Sequence, residues 1–169
     1  MEYVDIYDRE RHPTGKIQPR NSKLSIGEYR IIAFAVIVNS RCEALLTLRS
    51  PEKDVYPNLW GFTGGAVQAG ETSLQAIERE THEETGIHAK PEDFILLDTF
   101  KSRVKHSFTD VYLLRWDGSL DQLTMQPGET SAAQWVSLEA LMQMATQIAP
   151  PDAERLPALL PLIYANIDG

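Results

Sequence analysis

The segment Ile31 to Val38 constrains the fold of this chain more than any other: eight consecutive apolar residues, rich in β-branched side chains. It is too short to cross a membrane. It has no polar alternation, so as a strand it is buried on both faces. Strands and helices alternate irregularly along the chain, which implies a mixed sheet with helices on both faces. The neighbouring pattern agrees. Short strands are expected at Tyr3–Tyr7, at Lys16–Gln18 after a His12–Gly15 turn, and at Glu43–Leu48 after a turn at Asn39–Cys42. Another is expected at Trp60–Thr63, ending at Gly64-Gly65. Phe94–Lys101 and His106–Trp116 read as a long antiparallel pair, and Ala133–Val136 as a further strand. Thr72–Thr85 reads as a helix stopped by Gly86. Leu138–Thr146 and Ala153–Asn166 read as two more, the last broken or kinked at Pro157 and Pro161. The expected architecture is α/β: a mixed sheet between helices, one domain over 1–169, with residues 1–28 as an N-terminal β-hairpin extension.

Charge narrows the partners. The formal net charge is -8 over 169 residues, which repels nucleic acid polymers and anionic membrane surfaces. A single cysteine, Cys42, allows no intrachain disulfide and no Cys/His zinc pattern. With an N-terminus that lacks a basic start and an apolar stretch, this points to the cytoplasm.

The chemistry-bearing segment runs from Gly65 to Ile87. On the Thr72–Thr85 helix, Glu80, Glu83 and Glu84 fall at i, i+3 and i+4, which is one face. Leu74, Ile77 and Thr81 form an adjoining stripe suited to the core, and Arg79 stands one turn before Glu83. Three like charges on one patch repel, and a hard divalent cation offsets that repulsion. Such a cation, bridging carboxylates to phosphate, neutralises a diphosphate and lowers the pKa of a bound water. Gly64-Gly65 allows close backbone approach, and a carbonyl there is a further candidate ligand. Glutamates alone would be an ordinary solvated helix face. The register of seven fixed letters plus Ile87 is not ordinary: chance agreement is on the order of one in a million for such a composition.

Gly65 to Ile87 resembles the Nudix box: Gly, five residues, Glu71, seven residues, Arg79-Glu80, Thr81, His82, Glu83-Glu84, Thr85, Gly86-Ile87. Thr81 stands where an aliphatic is usual, which should affect packing rather than metal binding. The resemblance implies the family's α/β/α sandwich and hydrolysis of a nucleoside diphosphate linked to another group, with magnesium or manganese. It implies Glu80, Glu83 and Glu84 at the metal, Arg79 orienting the glutamates, and Glu71 as a loop-bracing acid.

The flanks are similar to the branch of the family that contains isopentenyl-diphosphate isomerase. The similar features are Asp5-Ile6-Tyr7-Asp8, Pro13-Thr14-Gly15, Gly27-Glu28-Tyr29, and Arg49-Ser50 followed by Lys53, Pro57 and Trp60. By that resemblance Arg49 and Lys53 are candidate diphosphate ligands. The isomerases use a cysteine shortly after the tryptophan, and Gly61–Gly70 contains none. They also carry histidines where Arg30–Ala35 has none.

Glu129 is a candidate general base or metal ligand outside the box, alongside Glu83. Asp110 is a weaker candidate, since an acid in an alternating strand can simply face water. The four histidines, His12, His82, His88 and His106, do not cluster and are read as non-ligands; Tyr56 and Phe108 are candidate contacts for a base or other leaving group. The expected function is magnesium-dependent hydrolysis of a small-molecule diphosphate. The alternatives are isomerase-like activity and a module that senses a nucleotide sugar without cleaving it. Relatives of this kind often dimerise, and the hairpin is a candidate interface for a homodimer.

Overall fold

The computed structural model describes residues 1–167, so the last two residues of the expected 1–169 span lie outside it. The chain begins with a two-stranded hairpin, β1 (Tyr3–Tyr7) and β2 (Pro13–Pro19). The turn falls earlier than expected. Asp8 Oδ1 accepts the amides of Glu10 at 2.9 Å and His12 at 2.8 Å, and Arg11 takes the left-handed conformation at φ 66°. Pro13-Thr14-Gly15 therefore opens the second strand.

The main sheet is built from β3 (Arg30–Val38), β4 (Glu43–Arg49), β5 (Trp60–Gly61), β6 (Thr63–Ala66), β7 (Phe94–Ser102), β8 (Ser107–Arg115) and β9 (Thr130–Ser137). Its order is β5-β4-β3-β8-β7, with β6 also on β3 and β9 also on β4. β3 runs parallel to β8, and the other pairs are antiparallel, so the sheet is mixed. The expected single Trp60–Thr63 strand is two pieces, and Gly64 and Gly65 lie inside the second, opposite Phe34 and Ala33.

Period-two alternation along β3 explains its apolar composition. Ile31, Ala33, Ala35 and Ile37 join the core under α1 (Ser73–Thr85), with Ala76 and Ile77. Val36 and Val38 join the core under α2 (Pro150–Ile167), with Leu156, Leu159 and Ile163. Each face of one strand thus serves a different helix layer.

Two expected helices differ. Leu138–Met144 is a 3₁₀ segment, capped by Ser137 accepting from Ala140 N at 3.2 Å. Leu138 N donates to the Cys42 carbonyl at 3.0 Å where it starts, and Gln147 N to the Met144 carbonyl at 2.8 Å where it ends. α2 runs through Pro157 and Pro161 without ending. Both prolines are exposed, so their rings lie on the solvent side of the helix and displace no core side chain.

The hairpin is fastened to this body. Tyr7 and Tyr29 exchange backbone bonds of 2.8 and 2.9 Å. Val4 and Ile6 bury against Leu24 and Ala66. Arg11 reaches Asp110 with two bonds of 2.7 and 2.6 Å. Asp110 therefore does not face water. It is buried, and Thr99 Oγ1 also donates to it at 2.7 Å. Burial pushes its carboxyl up, but the bonds from Arg11, Ser73 and Thr99 outweigh burial and hold it below the usual range. Among the described residues, no helix is long and apolar enough to cross a membrane.

Candidate active site

The site arises from a fork in the sheet. β3 and β4 pair only at Val38↔Ala44 before they diverge. β6 occupies the space beside β3, while β9 and β5 follow β4. A cavity of about 340 Å³ opens in the fork, walled by Phe34 of β3, Thr47 and Arg49 of β4, Gly61 of β5, and Gly64 and Gly65 of β6.

α1 supplies the acidic wall, and its ends are set by local chemistry. Thr72 Oγ1 accepts from Gln75 N at 3.1 Å while Gln75 Oε1 accepts from Thr72 N at 2.9 Å, a reciprocal cap. Gly86 closes the helix at φ 77°, a conformation costly for a residue with a Cβ. Between these ends Glu80, Glu83 and Glu84 all line the cavity. The absence of a side chain at Gly65 is what admits Glu80: a Cβ there would stand 2.5 Å from its Oε1.

Arg79 organises the acids. It donates to Glu71 at 2.8 and 2.9 Å, to Glu80 at 3.0 Å and to Glu83 at 3.2 Å. Glu71 also accepts from Gln68 N at 2.8 Å, which ties the loop before the helix to the same guanidinium. Burial works against charge on Glu71, but Arg79 and the Gln68 amide outweigh it and hold the carboxyl below its usual range. Deeper in, Glu84 accepts from Gly64 N at 3.3 Å. Burial, then the charge of Glu80, pushes Glu84 well above the ordinary carboxylate range. Burial also raises Glu80, with Glu83 and Glu2 adding to it. Two enclosed carboxylates that penalise each other's charge form a hard-oxygen donor set that a divalent cation fits. Among the described residues, no three His, Cys, Asp or Glu side chains are grouped as a metal site as they stand. Arg79 holds Glu80 and Glu83 while Glu84 is turned to Gly64, so ligation requires these side chains to reorient.

The predicted residues outside the box reach the same cavity. Lys53 Nζ donates to Glu129 Oε2. Arg49 lines the wall, with Nε and Nη2 donating to the Val55 carbonyl at 3.0 and 2.7 Å and Nε also to that of Tyr56 at 3.2 Å. It thereby holds a loop in which Tyr56 and Asn58 have φ of 53° and 59°. Tyr56 lines the cavity. Phe108 does not. It is buried against Tyr29 at 5.1 Å between ring centroids. His82 and His88, contrary to the expectation that no histidines cluster, lie with ring centroids 4.1 Å apart and tilted by 35°, away from the main cavity.

Sequence reasoning missed Glu2, Arg20 and Asp152, which also line the cavity. Nothing local marks the first two. Asp152 follows Pro150-Pro151 at the start of α2, a pattern of helix entry that says nothing about a cleft. Thr81 is fully buried as expected, and its hydroxyl has no hydrogen-bond partner. Thr81→Val should therefore raise stability by about 1 kcal/mol, read as a later denaturant midpoint with an unchanged slope.

A forked mixed sheet between two helix layers, with a helix-borne acidic wall facing cationic side chains across one cleft, makes this an α/β/α sandwich. The chain belongs to the Nudix hydrolase family: the NUDIX domain model matches residues 28–159. It is 34% identical over 148 residues to an uncharacterised Nudix hydrolase of Listeria monocytogenes, covering 83% of each chain. It is 32% identical to the 8-oxo-dGTP diphosphatase of Escherichia coli, over 65% of this chain and 81% of that one. The crystal structure of DR0079 from Deinococcus radiodurans superposes with a TM-score of 0.77 at 25% identity, over 93% of this chain and 98% of that one. Nudix hydrolases act on nucleoside diphosphate derivatives and generally use divalent metal ions.

Proposed function

We propose that this protein hydrolyses the diphosphate linkage of a nucleoside diphosphate derivative with magnesium, manganese being able to substitute. The observation that carries the reading is the convergence of Glu80, Glu83 and Glu84 with Arg49, Lys53 and Glu129 on one cavity. Glu80, Glu83 and Glu84 would hold the metal, with the Gly65 carbonyl as a further oxygen ligand. A cation bound there supplies neutralisation of the diphosphate and activation of a water for attack at phosphorus. Arg79 orients the glutamates and Glu71 fixes Arg79.

Lys53 and Arg49 bind diphosphate oxygens. Substrate phosphate competes with Glu129 for Lys53, and a Glu129 carboxylate released from that pair accepts the water's proton. Glu83 is the other candidate base, but it is already engaged by Arg79 and assigned to the metal. The isomerase-like alternative requires a thiol beside the substrate. Cys42 is exposed in the turn between β3 and β4, and among the described residues neither cysteine nor histidine lines the cavity. An exposed free thiol also suits a reducing, cytoplasmic setting.

The test is a magnesium-supported hydrolysis screen of nucleoside diphosphate compounds, following phosphate and nucleoside monophosphate release. Glu129→Gln should lower kcat by about 100-fold or more and leave KM within a few-fold. A normal kcat in this variant, with a collapse in Glu83→Gln at saturating magnesium, would transfer the base role to Glu83. No turnover of any compound by the unaltered protein would refute the reading.

A further inference from the structure

Residues 1–27 lie outside the family match, which begins at residue 28. Two of them nevertheless line the cavity: Glu2, just before β1, and Arg20, just after β2. They sit across the open end of the hairpin, joined by Arg20 N donating to the Glu2 carbonyl at 2.9 Å. Their side chains also pair, Arg20 Nη1 to Glu2 Oε2 at 2.9 Å. Arg30 Nη1 holds the Arg20 carbonyl at 2.6 Å. The Arg11–Asp110 clamp and the Tyr7–Tyr29 bridge fix the hairpin itself, so the position of Arg20 is built into the fold rather than left to a loose terminus.

The box glutamates are thereby flanked by two cation–carboxylate pairs. Lys53–Glu129 stands beside Glu84, whose carboxyl both residues influence. Arg20–Glu2 lines the same cavity as Glu80, whose carboxyl is raised first by burial and also by the charge of Glu2. The two pairs differ in their freedom. Lys53 has 22% of its side chain exposed, whereas Arg20 has 45% and Glu2 42%. An exposed ion pair is held weakly and exchanges readily for a better partner. A guanidinium prefers a phosphate, which it can bind in bidentate fashion.

We infer that Arg20 is a specificity-determining residue that binds a phosphate group of the substrate lying beyond the diphosphate held by Arg49 and Lys53, exchanging Glu2 for it. This rests on the proposed diphosphate-hydrolase reading. Polyphosphate chains of three or more phosphates are then preferred over those of two. Glu2 acts as the competitor, so removing it favours binding.

The experiment measures binding by calorimetry, with magnesium, of inorganic tripolyphosphate and inorganic pyrophosphate, which keeps it separate from the hydrolysis screen. Arg20→Ala should weaken tripolyphosphate about tenfold and pyrophosphate less than threefold. Arg20→Lys should recover part of the loss. Glu2→Gln should tighten tripolyphosphate by about threefold. In any substrate of three or more phosphates that the protein cleaves, the effect of Arg20→Ala should fall on KM, with kcat within about threefold. Equal weakening of both anions by Arg20→Ala would overturn the inference. Weakening by Glu2→Gln would do so too, because that result marks the pair as a mere fastener of the hairpin. No binding of either anion by the unaltered protein would also overturn it. Turnover in the screen alongside that result would leave the hydrolase reading standing.

Discussion

Glu84→Gln is expected to lower magnesium-supported turnover by about a thousandfold, which corresponds to roughly 4 kcal/mol of transition-state stabilisation. The substitution is nearly isosteric and keeps an oxygen able to accept from Gly64 N, the bond seen at 3.3 Å. What it removes is a negative charge at the deep end of the cavity, beside Glu80. In the metal-free protein that charge is disfavoured by burial and by Glu80, so its loss should not lower the unfolding temperature. Magnesium, by contrast, should raise the unfolding temperature of the unaltered protein more than that of the variant. Turnover by Glu84→Gln within threefold of the unaltered protein, at the same magnesium concentration, would remove Glu84 from the metal site.

Asp152→Asn should stabilise the protein at pH 8 by about 3 kcal/mol and have little effect at pH 4. Asp152 is buried at the start of α2 and accepts from Phe62 N at 3.1 Å. Burial pushes its carboxyl up to about 6, against the opposing effects of the Phe62 bond and of Arg155, Arg49 and Lys105. Arg155 compensates poorly. Its nearest nitrogen is 3.9 Å from the carboxylate, and its guanidinium lies over the rings of Phe34 and Phe100 at 5.8 and 5.6 Å. A folded-state value above the unfolded one means that the native state binds the proton more tightly. Stability from this group is therefore full below about pH 4 and is lost as pH rises through about 6. Asparagine keeps an acceptor for Phe62 N and carries no charge, so the variant should lose that part of the pH dependence. Chemical denaturation at several pH values reads both effects. Parallel stability profiles for the two proteins would show that Asp152 ionises without cost.

The box was legible in the sequence because every part of it is local. Helical periodicity places Glu80, Glu83 and Glu84 on one face, Gly86 ends the helix through its own backbone freedom, and Ile77 and Thr81 turn inward as the stripe requires. The β3 strand was legible for the same reason, since an unbroken apolar run has no water-facing side. Misplaced details had competitors that act over a distance. The Leu138–Met144 segment has helical composition but winds as 3₁₀ turns, tied at its start to Cys42 far away in sequence. Pro157 and Pro161 look like helix breakers until their exposed side of α2 is known. Asp110 has the spacing of a solvent-facing strand residue, and only the arrival of Arg11, far away in sequence, turns it into a buried anchor.

Residues Gly65 to Ile87 alone thus determined the acidic helix face and the helix that carries it, because hydrogen bonds and periodicity within one short segment set them; the reaction class came from the resemblance of that segment to the Nudix box. The tertiary structure decided how the other side chains meet that wall and pair there. The fork between β3 and β4 brings Lys53 to Glu129, places Asp152 at the cavity, and lays Glu2 and Arg20 along its rim. Such pairings come from packing between segments far apart in the chain, and no local pattern of side chains encodes them.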